Sequence, residues 1–257
     1  MRIGIIGGSG LYKIEGIELI DEIEIKTPFG NPSDKIIYSK YNQFEIYFLA
    51  RHSREHSIPP HKVNYKANIY AFKMLNVERI ISVSAVGGIT KKPNEIIVTS
   101  DFIDFSKRTI TYYDGPKVVH IDLTQPFCPI LRECLIKSAK NLNVEVNEFG
   151  VYAQMEGPRL ETPSEIKMLR ILGCDVVGMT MVSEAILSRE LEICYASINV
   201  VTNYAAGIKE EKLTTIEVIE NMNRNLENIK KIILNSLELI PKERNCPCSK
   251  ALEGTEL

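Results

Sequence analysis

Short apolar runs alternate with amphipathic stretches along most of this chain. Arg2 to Ile6 reads as a buried strand feeding the small-residue turn Gly7-Gly8-Ser9-Gly10. Ile17 to Ile25 intersperses apolar and acidic residues and predicts a half-exposed strand, and Ile36 to Tyr38 and Phe44 to Ala50 predict two more. After Pro59-Pro60, Val63, Ala67, Tyr70 and Met74 recur at helical spacing. Arg79 to Val86 is a β-rich run ended by Gly87-Gly88, and Leu131, Cys134, Leu135, Ser138 and Leu142 mark a second helix face. Thr162-Pro163-Ser164-Glu165 carries a capping-box start with Pro at the first helical position, opening a helix that should end near Gly173. Thr214 to Glu217 repeats the signal and opens a long helix with Ile219, Met222, Leu226, Ile229, Ile233 and Leu237 on one stripe. Asp175 to Val177 and Ala196 to Val201 read as strands between helices. The alternation predicts an α/β fold with a mainly parallel or mixed sheet and helices on both faces.

The 257 residues suit a single α/β domain, here expected over residues 1–240 with a flexible, charged tail over 241–257. Hydrophobic residues make up 44% and charged ones 25%, and the formal charge is −2, which gives no basic surface for nucleic acid or anionic membrane. The opening apolar run is too short for a signal peptide or a span, so the expected compartment is cytoplasmic. Four of the six cysteines, 128, 134, 174 and 194, sit in apolar or helical runs and read as small buried hydrophobes. Cys246 and Cys248 fall in the tail, where fraying is expected. Absence of Trp, with many Ile, Lys and Glu, leans toward a thermophile, a setting in which intracellular disulfides occur.

Chemistry is suggested where strands end. The Gly7 to Gly10 turn can cradle an anion, yet it fits neither the dinucleotide fingerprint nor a Walker loop. Arg51-His52 ends an apolar strand, where an Arg fork suits phosphate oxygens and His52 can donate to the same anion. His52 to His56 also matches H-x-x-E-H, an inverted zinc-peptidase motif, although Pro59-Pro60 leaves little room for its helix. Ser82 to Gly88 and Gly178-Met179-Thr180 are further small-residue strand ends. Glu161 and Asn203 lie where a loop or strand gives way to a helix or turn. An amide donates and accepts, a carboxylate only accepts, and together they complement a purine with a 6-oxo group: the amide serves O6 and N7–H, the carboxylate N1–H.

Taken in order, Gly7-Gly8-Ser9-Gly10, Thr27-Pro28-Phe29-Gly30, Ala50-Arg51-His52, Val63-Asn64-Tyr65, His120, Glu156-Gly157-Pro158-Arg159, Gly178-Met179-Thr180 and Thr202-Asn203 make the chain resemble the trimeric purine nucleoside phosphorylases. Within them it resembles the methylthioadenosine/methylthioinosine phosphorylase branch. The resemblance implies a central mixed sheet with a distorted barrel, a homotrimer or a pair of trimers, and no metal or organic cofactor, inorganic phosphate being a co-substrate. It implies a phosphate site of Ser9, Arg51, His52, Ser84, Ala85 and Thr180, with Met179 on the ribose. Leu160, Glu161, Asn203, Tyr204 and Ala205 would surround the base, and His120 would reach a neighbouring subunit's site. Asn203 would be catalytic with His52. Adenosine-type members carry Ser and two Asp where this chain has Glu161, Asn203 and Ala205, so cleavage of S-methyl-5′-thioinosine is expected. A broader inosine/guanosine phosphorylase and a methylthioadenosine phosphorylase are the nearer alternatives. A zinc peptidase and a non-catalytic nucleotide-binding protein are the distant ones.

Overall fold

The computed structural model describes residues 1–11, 17–210 and 214–255. Its centre is β5 (Arg79–Gly88), whose Ile-, Val- and Ser-rich sequence suits a strand enclosed on both faces. One edge of β5 pairs in parallel with β1 (Arg2–Gly7), which pairs in parallel with β4 (Phe44–Ala50). β3 (Ile36–Tyr41) and β2 (Glu18–Ile23) continue outward as antiparallel neighbours. The other edge of β5 carries β10 (Cys194–Tyr204), which also pairs with β6 (Ile96–Val98). Beyond the end of β1, Gly87 and Gly88 pair with β9 (Val176–Gly178), followed by β8 (Val151–Gln154) and β7 (Asp101–Asp104).

That branching creates the site. β1 registers with β5 only as far as Ser82, and β9 begins only at Gly87. Between them, residues 83–86 face no strand on that edge among the described residues. Backbone groups left out of a ladder must find other partners, so the gap is a place for a polar ligand.

Helices cover both faces. α1 (Tyr65–Met74) and α4 (Met181–Glu190) pack Ile69, Phe72, Met181 and Val182 against Ile6, Leu49 and Ile80. α2 (Pro129–Asn141) and α5 (Thr215–Leu239) pack Leu131, Leu135, Ile229, Ile233 and Leu237 against Ile3, Ile5, Ile81 and Val200. Each fully buried aliphatic side chain contributes about 1.5–3 kcal/mol. α3 (Pro163–Ile171) lays Ile166 and Leu169 against Ala153, Val177 and Ala205, and begins with both bonds of the predicted Thr162–Glu165 capping box. None of the described helices is long and apolar enough to cross a membrane.

Two expectations change. β2 is an edge strand and more exposed than its alternation implied, with Leu19 at 59%. The tail, expected to be flexible, is packed: Pro247–Lys250 forms a 3-10 turn, Cys246 and Cys248 are buried, and Arg79 donates to the carbonyls of Pro241 and Lys242. Its apolar and thiol side chains reach the core, which is why it does not read as a solvated tail.

Candidate active site

A cavity of about 620 Å³ opens beside the unpaired stretch of β5. Val83 to Gly87 form its floor. Thr180, the residue before α4, stands on its wall and makes no capping bond with its side chain, so the helix leaves its hydroxyl and its positive end to the cavity. Ser84 Oγ donates to Asn199 Oδ1 at 2.5 Å, and Ser197 also donates to that oxygen. An incoming anion can therefore accept the Ser84 hydrogen bond while Asn199 keeps a partner. Gly8 and Gly10 line the cavity from the first turn, and Ser9 lies between them with its side chain outside the described residues.

Arg51 lines the same end but is held mainly from behind. Its Nε and Nη2 donate to Glu184 at 2.5 and 3.1 Å, Nη1 to the Val83 carbonyl at 3.0 Å and Nη2 to Ser82 Oγ at 2.7 Å. Glu184 is itself fully buried and accepts further bonds from Ser82 and the Tyr195 hydroxyl. Burial works against the Arg51 charge, but the Glu184 carboxylate more than offsets it and raises the Arg51 pKa. One Nη1 hydrogen remains uncommitted. Arg51 thus presents a fixed positive charge with a single free donor, rather than an open fork.

His52 differs from expectation. Its Nδ1 lies 2.8 Å from the Ile58 carbonyl and must donate to it, which leaves Nε2 as the unprotonated nitrogen. Burial and then the Arg51 charge lower its pKa from 6.5 to about 4. His52 is therefore an acceptor at neutral pH and can accept a hydrogen bond from phosphate or a sugar hydroxyl, instead of donating to an anion. Unfolded chains take up that proton near pH 6.5 and the folded one only near 4, so His52 subtracts stability as pH falls through this window. By NMR, the His52 ring signals, assigned by their loss in His52→Gln, should not titrate between about pH 5.5 and 8. A midpoint near 6.5 would return His52 to the role of donor.

The H-x-x-E-H reading fails here on geometry. Residues 51–56 form turns, with Ser53 and His56 at φ 65° and 55°, and Glu55 is exposed, so no helix brings the motif together.

Glu161 and Asn203 both line the same cavity. Glu161 precedes the Thr162 cap of α3 and is 8% exposed. Among the described residues no other side chain donates to its carboxylate, and burial raises its pKa. Asn203 stands beside a β-bulge at the end of β10, opposite Gly87. Its Nδ2 donates to the Tyr204 carbonyl at 2.8 Å and its Oδ1 accepts from Thr202 at 2.9 Å. One amide hydrogen and one lone pair stay free for a ligand.

Met179 closes the middle. Gly157 must be glycine here, because its φ is +68° and a Cβ would lie 2.4 Å from Met179 Sδ. Arg108, which the sequence reading missed, holds this corner: it donates to the Met179 carbonyl at 3.0 Å and pairs with Glu156 at 3.1 Å.

Leu160 and Ala205 line the cavity as expected, but Tyr204 does not. Tyr204 turns away, as strand neighbours do, and carries Lys209 4.5 Å above its ring. His120 is exposed outside the cavity, its N–H donating to the Thr255 carbonyl. The remaining wall, also missed, is the first turns of α5: Thr215, Val218, Ile219, Met222 and Leu226. The long apolar stripe was legible; that its first half faces a cavity was not.

The sequence matches the family model described as Phosphorylase superfamily over residues 2–238. It is 50% identical to the probable 6-oxopurine nucleoside phosphorylase of Thermococcus kodakarensis, with 98% of each chain covered. It is 46% identical to the probable S-methyl-5′-thioinosine phosphorylase of Thermodesulfovibrio yellowstonii, covering 99% of this chain and 97% of that one. Among solved structures, a methylthioadenosine phosphorylase from an antarctic soil metagenomic library superposes with a TM-score of 0.92 at 34% identity, over 99% of this chain and 92% of that one.

Proposed function

The chain belongs to the phosphorylase superfamily, and from that membership we propose that it cleaves S-methyl-5′-thioinosine with phosphate, giving hypoxanthine and S-methyl-5-thioribose 1-phosphate. The observation that carries this reading is the pairing of Glu161 and Asn203 in one cavity with the open stretch of β5. The relatives named for 6-oxopurine and methylthioinosine substrates agree with it.

In this reading phosphate lies at the 83–86 gap, against Ser84, Ala85, Thr180, Arg51 and the Gly7 to Gly10 turn that carries Ser9. A phosphate oxygen forms a bond to C1′ as the C1′–N9 bond breaks, and the bonding pair leaves with the base. Negative charge grows on the purine, which takes up a proton from water at N7 as it leaves, and Asn203 stabilises it by donating to O6 while its carbonyl accepts from the N7–H so formed. Glu161 accepts from N1–H. His52 accepts a hydrogen bond from phosphate or a sugar hydroxyl, and Arg51 opposes the phosphate charge. Holding both substrates in one cavity supplies much of the remaining acceleration. No metal takes part in this chemistry. The same reading carries a cytoplasmic homotrimer in which the exposed His120 faces a neighbour's site.

The apolar wall of Val218, Ile219, Met222 and Leu226 favours a 5′-methylthio group over a 5′-hydroxyl, since a sulfur and a methyl suit it without an unpaired polar group. The test is a panel of inosine, guanosine, adenosine, methylthioinosine and methylthioadenosine, assayed with and without phosphate. Methylthioinosine should have the highest kcat/KM, and base release should require phosphate. Equal rates for inosine would replace the reading with a broader 6-oxopurine nucleoside phosphorylase.

A further inference from the structure

Four cysteines from distant parts of the chain converge outside the cavity. Cys128 precedes α2, Cys194 opens β10, and Cys246 and Cys248 flank Pro247 in the packed tail. All four are buried, and their sulfurs all lie within 4.8 Å of one another, with Cys194 and Cys246 at 3.3 Å. Buried thiols in an apolar core need not gather; Cys134 and Cys174, equally buried, do not join them.

We propose that Cys128, Cys194, Cys246 and Cys248 form a closed tetrathiolate site for a structural zinc ion. Tetrahedral zinc with Zn–S near 2.3 Å sets every pair of sulfurs about 3.8 Å apart, so all six pairs must be close at once. Two disulfides would require only two close pairs, each near 2.05 Å, and would give the pairs no reason to converge. Four thiolates with no open position fit zinc and a structural role rather than a catalytic one.

A second observation points the same way. Arg244 Nε is buried with no hydrogen-bond partner, and its guanidinium lies beside Cys194 and Cys246. A thiol is a weak acceptor, whereas a metal-bound thiolate accepts an N–H well. Four thiolates around a dication leave about two negative charges, which Arg244 would partly offset. Arg79 and Arg244 also line a gap of about 10 Å³ beside Cys128, Cys194 and Cys246.

The ion would fasten the tail to the start of β10 and the start of α2. None of the four cysteines lines the active cavity, so the site adds stability and leaves the chemistry metal-free. Binding there becomes part of the folding free energy.

The test uses the full chain purified anaerobically with a phosphine reductant, freed of metal and titrated with Co²⁺. About one ion per chain should bind, with the thiolate charge-transfer and tetrahedral d–d bands of a tetrathiolate site, and Zn²⁺ should displace it. Cys248→Ser and Cys194→Ser should each lose that spectrum, while Cys134→Ser and Cys174→Ser keep it. Cys248→Ser, in the tail, serves if Cys194→Ser fails to fold. Zinc removal should lower the unfolding temperature and leave phosphorolysis at moderate temperature unchanged. No Co²⁺ or Zn²⁺ uptake by the reduced chain overturns the proposal, as does a Co²⁺ spectrum that survives Cys248→Ser. Disulfides joining the four residues in protein kept anaerobic throughout would overturn it as well.

Discussion

Glu184→Gln should cost the chain about 3–5 kcal/mol of stability and most of its use of phosphate, although Glu184 does not touch the cavity. The carboxylate is fully buried and takes two bonds from Arg51, one from Ser82 and one from Tyr195. Glutamine keeps the shape and loses the charge, so the Arg51 guanidinium is left desolvated without a counter-ion. Arg51 then gains by turning toward water or the cavity, and the phosphate end loses its fixed donor. The phosphate KM should rise at least about tenfold, the nucleoside KM much less. Replacing both partners, with Arg51→Met and Glu184→Leu together, should recover much of the stability, since no unpaired charge remains. It should not recover phosphorolysis. Denaturant midpoints and phosphate kinetics on the two singles and the double separate the two roles. A Glu184→Gln chain with unchanged midpoint and phosphate KM would show that the pair neither supports the fold nor sets Arg51.

Glu184 also shows where sequence reading stopped. α4 lacks a helical stripe because nearly all of it is buried, including Ser183, Glu184, Ser188, Arg189 and Glu190. A helix enclosed on every side loses the period of 3.6 on which such readings rest. The sequence therefore exposed Thr180 as a strand end and hid the helix that begins one residue later. Arg51 was legible as a strand-end cation, but its partner lies 133 residues away. The His52 role depended on a turn geometry that sequence does not spell out, which brings the Ile58 carbonyl to Nδ1 and fixes the tautomer.

Other elements were legible because their signals are local. Capping boxes at Thr162 and Thr214 marked the starts of α3 and α5, although only the first has both reciprocal bonds. The strands β1, β4, β5 and β10 are mainly apolar runs with glycines or polar residues at their ends. Asn203 was visible for the same reason, near the end of β10, and Glu161 because it closes the Glu156 to Glu161 segment just before a capping box. The tail was misread because charged residues surround its two cysteines, and composition alone cannot show that two thiols 118 residues earlier in one case and 52 in the other (Cys128 and Cys194 from Cys246) await them.

Methylthioinosine should be cleaved far faster than methylthioadenosine, and two substitutions should reverse the bias. In the proposed pose Glu161 and Asn203 lie on the purine edge, and a 6-oxopurine satisfies both groups. Neutral adenine sets its N6 donors against the Asn203 amide hydrogens and its N1 lone pair against the Glu161 carboxylate. Each mismatched buried group costs about 1–3 kcal/mol, or about 5- to 150-fold. Asn203→Asp should depress 6-oxopurine turnover and shift relative preference toward 6-aminopurines, because a protonated Asp can donate to N7. Glu161→Ser should push the same way by removing the acceptor for N1–H. Burial raises the Glu161 pKa, so the carboxylate is protonated at a higher pH than an exposed one. As pH falls, then, 6-oxopurine cleavage should decline earlier in the wild type than in Glu161→Gln, whose amide does not titrate. Competition between methylthioinosine and methylthioadenosine in one reaction reads the ratio of kcat/KM directly. A wild-type preference for methylthioadenosine would remove Glu161 and Asn203 as the groups that choose the base.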